Sequence, residues 1–192
     1  MGILTREQID GMGFFSVGEN VRLSDRASYY NCANISIGNN SRIDDFCVIA
    51  AGEGGIQIGC FVHIAVFCSL IGRGKIVLDD FSGLSARVSV YSSSDDYTGL
   101  AMTNPTIPEQ FTNVKHANVS IERHVIVGAG SVLLPGINIA QGTAIGALSL
   151  VTKSCEEFSV YTGNPAKRIT RRKRGMLELE KKFLASQTFD SH

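Results

Sequence analysis

Aliphatic residues recur every six positions along most of this chain. Ile121, Val127, Leu133, Ile139, Ile145 and Val151 form one unbroken series. The same spacing appears upstream in groups of three: Val17, Leu23, Tyr29; Ile37, Ile43, Ile49; Ile58, Ile64, Leu70; Leu78, Leu84, Val90. A period of six is neither the 3.6 of a helix nor the bare alternation of a strand. It fits an all-β solenoid whose triangular coil has three flat faces, with one aliphatic residue per face turned inward. Such a coil buries its interior only by stacking on a neighbour, so several are required. About six are expected between residues 17 and 152. The phase slips between groups, at Tyr30 to Ser36, Ala50 to Gln57 and Ile71 to Val77, are expected as corner insertions. A plain β-sandwich does not account for six consecutive hits at one spacing. Tight corners call for glycine or asparagine at positive φ. Gly38-Asn39-Asn40, Gly59, Gly128-Ala129-Gly130 and Gly146-Ala147 sit beside the series as expected.

Composition narrows the function classes. Of 192 residues, 44% are hydrophobic, which excludes a disordered chain. Eighteen basic residues balance 18 acidic ones, which argues against general nucleic-acid binding. The longest apolar stretch, Phe61 to Gly72, is interrupted by His63 and Ser69 and falls short of the roughly 20 residues a bilayer needs. The N-terminal stretch has no apolar core of a signal peptide. Five cysteines without a CxxC argue against both disulfide and zinc frameworks. A cytoplasmic protein with no metal and no membrane insertion is expected.

Between Val90 and Ile121 the six-residue series stops. The intervening segment is polar, contains Pro105 and Pro108, and is too long to be a routine connection. Its root is the expected active site, a purely decorative insertion being the alternative. The chain therefore divides into an N-terminal cap with a short helix (1–16), a β-helix (17–152) with an inserted loop (91–118), and a basic linker with a C-terminal helix (153–192). The helix expected within MLELEKKFLASQ would turn Met176, Leu177, Phe183 and Leu184 to its apolar side. The linker carries Lys167, Arg168, Arg171, Arg172, Lys173 and Arg174. Such a cluster suits a polyanionic cofactor, or is a solvated lead into the helix. Pro165 and Ala166 would fix its entry angle.

The hexapeptide series, the long loop, GAGSVLLPGINI and GNPAKRI together resemble the left-handed β-helix acyltransferases, over nearly the whole chain. GFFSVGENVRLSDRASYYN, ISIGNNSRIDDFCVI, YSSSDDYTG, NPTIPEQFTNVK and LELEKKFL are most similar to nucleotide-sugar N-acyltransferases of the anthrose-biosynthesis type. The resemblance implies a left-handed coil, a homotrimer and active sites in the clefts between subunits. It implies an acyl-CoA donor and a nucleotide-sugar acceptor bound for a surface glycan. The pantetheine arm would pass Gly128, Ala129, Gly130, Gly146 and Ala147. Its phosphates would meet Lys153, Lys167 and Arg168.

Acyl transfer from a thioester needs a nucleophile, a route for its proton and a donor to the oxyanion. A hydroxyl acceptor needs a base near neutrality, normally histidine. An amine needs only a group that orients it and helps it shed a proton. The related galactoside and maltose acetyltransferases carry a catalytic histidine just after the last strand before the loop. Counting from Val90, this chain has Asp95 there, followed by Asp96. That favours an amine acceptor, with Asp95 as base or orienting group and Asp96 second, unless the pair merely caps a turn. Ser85 falls one face away and could hydrogen-bond the amine or the oxyanion. Amides near Ala129 or Gly130 could do the same for the oxyanion. If the acceptor is a hydroxyl, as in a sugar O-acetyltransferase, His63 or His116 becomes the base. His124 lies on the next coil and His192 at the terminus. No cysteine lies in the loop, so direct attack without an acyl-enzyme is expected. A non-enzymatic scaffold would have no use for GNPAK and the polar loop, and a zinc site would need histidine spacings that are absent.

Overall fold

The computed structural model describes residues 2–187, and these form a parallel β-helix with three sheets as its faces. On the first face Val17, Ile37, Ile58, Leu78, Ile121 and Ile139 occupy successive strands in register. On the second, Leu23, Ile43, Ile64, Leu84, Val127, Ile145 and Tyr161 do so. On the third, Tyr29, Ile49, Leu70, Val90, Leu133 and Val151 follow. Every member of the six-residue series thus lies over its counterpart one coil away. Apart from Val17, Tyr29 and Tyr161, all of them are buried. Each such side chain contributes about 1.5–3 kcal/mol of apolar burial, while its backbone bonds to the neighbouring coils.

The solenoid has six complete turns and the start of a seventh. Cys155 bridges to Ile139, and Ser159–Thr162 pairs parallel with Ala144–Ile145. Lys167–Arg171 then turns back antiparallel on Ser159–Thr162. The stretch expected as a basic linker therefore continues the second sheet. The continuation escaped the periodicity because Tyr161 stands where an aliphatic residue would, and Cys155 follows Val151 by four residues instead of six.

The three corners differ. Where the first face meets the second, positive φ falls three residues after the inward one, at Asn20, Asn40, Phe61, Phe81, His124 and Gly142. Where the second meets the third, it falls at Phe46, Phe67, Arg87, Gly130 and Leu148. Glycine and asparagine were expected, yet much of the left-handed backbone carries bulky side chains, at roughly 1–2 kcal/mol each. Stacking between coils offsets the cost. Ring centroids are 4.9 Å apart for Phe61 and Phe81, 5.3 Å for Phe81 and His124, and 5.0 Å for Phe46 and Phe67. Each such pair contributes about 0.5–1.5 kcal/mol. The third corner collects the extra residues. The phase slips after Tyr30, Ala50 and Ile71 lie beneath the long loop, which folds back by pairing Ser93–Ser94 with Lys115–His116.

Two helices finish the fold. Arg6–Gly11 begins with a capping box between Thr5 and Gln8 and buries Ile9 against the core. Gly175–Gln187 lies on the first corner. Phe183 meets Phe61 and Phe81 edge-on, and Glu180 accepts hydrogen bonds from Arg123 and from His124 Nε2. The helix docks as much through that carboxylate as through its apolar side, since Phe183 and Leu184 remain 38% and 39% exposed. No helix among the described residues is long and apolar enough to cross a membrane.

Candidate active site

A cleft of about 920 Å³ opens at the loop corner. Its floor comes from the stacked insertions, Ala50 to Gly52 and Ile71 to Arg73. Its wall comes from the loop, with Ser93, Ser94, Asp95, Asn104, Pro105, Ile107, Glu109, Val114 and His116. The phase slips in the sequence and the break in the series are therefore two signs of one site.

The two aspartates behave differently. Asp96 accepts hydrogen bonds from the Thr98 amide at 2.9 Å, the Thr98 hydroxyl at 3.0 Å and the Ala101 amide at 3.1 Å. The Thr98 amide first, then its hydroxyl, holds the Asp96 carboxyl below its ordinary range. Asp96 folds the loop back on itself. Asp95 lines the cleft, and its carboxylate has no partner among the described residues. His116 lines the same cleft, with Nδ1 2.7 Å from the Ser93 hydroxyl.

Ser85 is elsewhere. It follows Leu84 at the start of the corner between the second and third faces, while Asp95 lies past the corner between the third and the first. A whole face, on the order of 15 Å of extended chain, separates them within one chain. Ser85 stands in a column with Asp44 and Ala65 below and Gly128 and Gly146 above. The Ser85 hydroxyl has no partner among the described residues.

His63 is also outside the cleft. It projects from the second face, with Nε2 2.9 Å from Asp44 Oδ2, and Arg42 Nε lies 2.6 Å from the other oxygen. Burial would raise the Asp44 carboxyl, but the bonds from His63 and Arg42 outweigh it and hold it below the usual range. His124 belongs to the helix contact described above. His192 lies outside the described residues.

The expected cofactor residues gain additional explanations. A Cβ on Gly128 would come within 2.4 Å of the Ala147 nitrogen, so glycine there is demanded by the next coil, whatever passes outside. A Cβ on Gly146 would meet the Thr162 hydroxyl at 2.6 Å. Ala129 and Ala147 follow these glycines at the same corner. The Gly130 amide donates to Ala86, whereas the amide of the exposed residue Ala129 has no partner among the described residues. Of the basic cluster, Arg168 pairs with Glu156 at 3.0 Å, and Arg174 lies over Phe158 and pairs with Glu157. Arg172 donates to the carbonyls of His124, Gly142 and Thr143 across two coils. Lys167 is exposed opposite Thr162, at the head of the Ser85 column. Pro165 and Ala166 form the turn before it, and the Ala166 amide donates to Leu150. Lys153 is exposed at the loop corner, one face away from Lys167. Sequence reasoning missed Arg73 and Ser93. Their only signal was the slip at Ile71 to Val77, which puts Arg73 under the loop, where its guanidinium pairs with Glu53 and Glu109.

No family model matches the chain. An Escherichia coli dTDP-4-amino-4,6-dideoxy-D-glucose acyltransferase is 52% identical over 191 residues, covering 100% of both chains. The crystal structure of AntD, an N-acyltransferase from Bacillus cereus in complex with dTDP and 3-hydroxybutyryl-CoA, is 44% identical. It superposes with a TM-score of 0.93 over 97% of this chain and 98% of that one. A serine variant of AntD, solved with dTDP-4-amino-4,6-dideoxyglucose and coenzyme A, is 43% identical with a TM-score of 0.92, over 96% of this chain and 97% of that one. With a full-length relative at this identity and a shared β-helix, the chain belongs to the nucleotide-sugar N-acyltransferases, enzymes that use acyl-CoA to acylate an amino sugar.

Proposed function

We propose that this enzyme transfers an acyl group from acyl-CoA to the 4-amino group of a dTDP-linked 4-amino-4,6-dideoxyglucose. The observation that carries the reading is Asp95, the unpartnered carboxylate in the loop-corner cleft. A carboxylate suits an amine, which attacks once oriented and relieved of a proton, and suits a hydroxyl poorly. The relatives' ligands supply the nucleotide and the sugar. AntD has also been solved with substitutions at an aspartate and at a serine ten residues before it. Ser85 and Asp95 have the same spacing here.

In this reading the acceptor sits in the cleft, with its nitrogen against Asp95 and its oxygen-rich remainder toward the loop. The amine attacks the thioester carbonyl directly. The Ser85 hydroxyl and the free Ala129 amide stabilise the oxyanion. Asp95 takes the amine proton and returns it to the sulfur as the C–S bond breaks, so the amide forms and coenzyme A leaves as the thiol. The pantetheine arm runs up the corner outside Ala129 and Ala147 toward Lys167, four strand spacings or about 19 Å from Ser85. Since one chain keeps Ser85 and Asp95 on opposite edges of its third face, a complete site takes the two groups from adjacent subunits. A closed ring of three copies supplies three such sites. The acylated sugar nucleotide then serves a surface glycan, made in the cytoplasm.

The test is thiol release from acetyl-CoA and longer acyl-CoAs with dTDP- and UDP-linked 3-amino and 4-amino deoxysugars and a simple galactoside. Turnover is expected on the dTDP-linked 4-amino sugar. Asp95→Asn is expected to lower it at least about 100-fold, leaving assembly and coenzyme A binding intact. Turnover on the galactoside alone, or full turnover by Asp95→Asn, would overturn the reading.

A further inference from the structure

The cleft contains one histidine, and its neighbours determine what it can do. His116 and Ser93 face each other across the short hairpin at the loop's root, which fixes their separation. The Ser93 hydroxyl accepts the Arg73 amide at 2.8 Å and lies 2.7 Å from His116 Nδ1. With that amide bound at one lone pair, the hydroxyl proton has a single partner among the described residues, His116 Nδ1. The neutral tautomer that accepts this proton at Nδ1, and so carries its own on Nε2, is the one that leaves the hydroxyl proton partnered. Nε2 has no partner among the described residues.

We propose that His116 is a binding residue, which donates its Nε2 proton to an oxygen of the acceptor substrate, and that Ser93 and the Arg73 amide fix it in that role. The inference rests on the cleft being the acceptor site. A general base needs an outward lone pair, and it is usually supplied by anchoring the other nitrogen's proton on a carboxylate. The carboxylate partners in this chain go to His63 and His124, through Asp44 and Glu180. The histidine of the cleft faces a hydroxyl instead, and therefore presents an N–H. Such a donor suits an oxygen on the far side of the substrate from Asp95. In a nucleotide-linked amino sugar that is a sugar hydroxyl or a diphosphate oxygen. The Arg73 guanidinium, in the same wall, favours an oxygen-rich group there.

Steady-state kinetics with the dTDP-linked 4-amino sugar, across pH, test the assignment. His116→Ala is expected to raise the acceptor KM about tenfold, the value of one good hydrogen bond, with kcat nearly unchanged. His116→Gln, which keeps an N–H at similar reach, is expected to recover most of the loss. Ser93→Ala is expected to raise KM in the wild type and to add nothing in the His116→Ala background. Calorimetry with dTDP alone locates the oxygen. Weakened dTDP binding in His116→Ala points to the diphosphate, and unchanged binding points to the sugar, either of which supports the proposal. A fall in kcat in both His116 variants, with loss of the acidic limb of the pH profile, would make His116 a base and overturn it. Unaltered kinetics in His116→Ala would also overturn it. Nitrogen chemical shifts of the His116 ring report the tautomer independently, and a proton on Nδ1 would refute the assignment even if Asp95→Asn showed that the acceptor binds elsewhere.

Discussion

Phe61, Phe81 and His124 line one corner of the solenoid; Phe46, Phe67 and Arg87 line the next. Both rows stand on left-handed backbone, and both recover its cost by stacking from coil to coil. Among the described residues, only the first is covered from within the chain. Phe183 lies edge-on to Phe61 and Phe81, Glu180 accepts from Arg123 and His124, and the rings are half-buried. On the second corner Phe46 is 47% exposed, Phe67 49% and Leu148 77%. Scattered apolar residues on a surface need no explanation, but a contiguous row does. Ser85 begins this same corner. The contrast teaches that the chain covers one corner with its own helix and leaves the one beside Ser85 bare, which is the surface that the proposed assembly of copies would cover.

The largest effect expected from that contrast is at the bare corner. Phe67→Asp puts a charge in the row while keeping a residue type that tolerates the left-handed backbone. On the proposed assembly the subunit should stay folded, lose its association with other copies and lose turnover by at least about 100-fold, because the proposed site needs Ser85 and Asp95 from adjacent subunits. Light scattering coupled to gel filtration, with the thiol-release assay, checks both. A trimer of full activity would mean that another surface joins the copies and that the two corners differ only in exposure.

The covered corner should respond in stability and not in turnover per site. Glu180→Ala leaves Arg123 and His124 without their acceptor, at about 1–3 kcal/mol. A fall of several degrees in Tm is expected with kcat preserved; loss of kcat without loss of Tm would tie this corner to catalysis. The pH dependence has a definite sign. The hydrogen bonds from Arg123, ahead of the opposing effect of burial, hold the Glu180 carboxyl below its ordinary value. A carboxyl lower in the folded than in the unfolded state stabilises above its unfolded range and ceases to do so as pH falls through its folded value. Acid unfolding of wild type and Glu180→Gln should therefore differ near neutrality and converge below about pH 4. The absence of a gap near neutrality would assign the helix contact to Phe183 instead.

The two corners also show what the sequence makes legible. The aliphatic series places Leu23, Ile43, Ile64 and Leu84 in one column, because only an inward position repeats at that spacing. The phase slips locate the cleft, since extra residues fit nowhere but a corner. The left-handed phenylalanines were not legible. Propensity assigns such positions to glycine and asparagine, and stacking on the next coil is a tertiary effect that a single window does not contain. The seventh turn was hidden for a similar reason, Tyr161 being held in the series by its place over Ile145. In the cleft wall, the place of Asp95 follows from its distance past Val90. Ser93 does not, because a serine gains its role only when the hairpin brings His116 opposite it. Gly128 carried a signal that pointed to a ligand and finds a sufficient cause in the backbone of Ala147.

The smallest effect gives the sharpest comparison. Asparagine adopts the left-handed backbone more easily than phenylalanine, so replacing a corner phenylalanine recovers part of roughly 1 kcal/mol of strain and forfeits a stack of similar size. At the bare corner Phe46 has one stacking partner, Phe67, and Phe46→Asn should be near neutral in the isolated subunit. At the covered corner Phe81 stacks on Phe61 and His124, meets Phe183 edge-on and lies 4.8 Å beneath the Arg123 guanidinium. Phe81→Asn gains the same relief and loses four contacts, so it should cost about 2 kcal/mol. Denaturant unfolding measures both in one background. Equal costs would mean that the rings contribute only through the local stack, and that Phe183 and Arg123 rest on the corner without stabilising it.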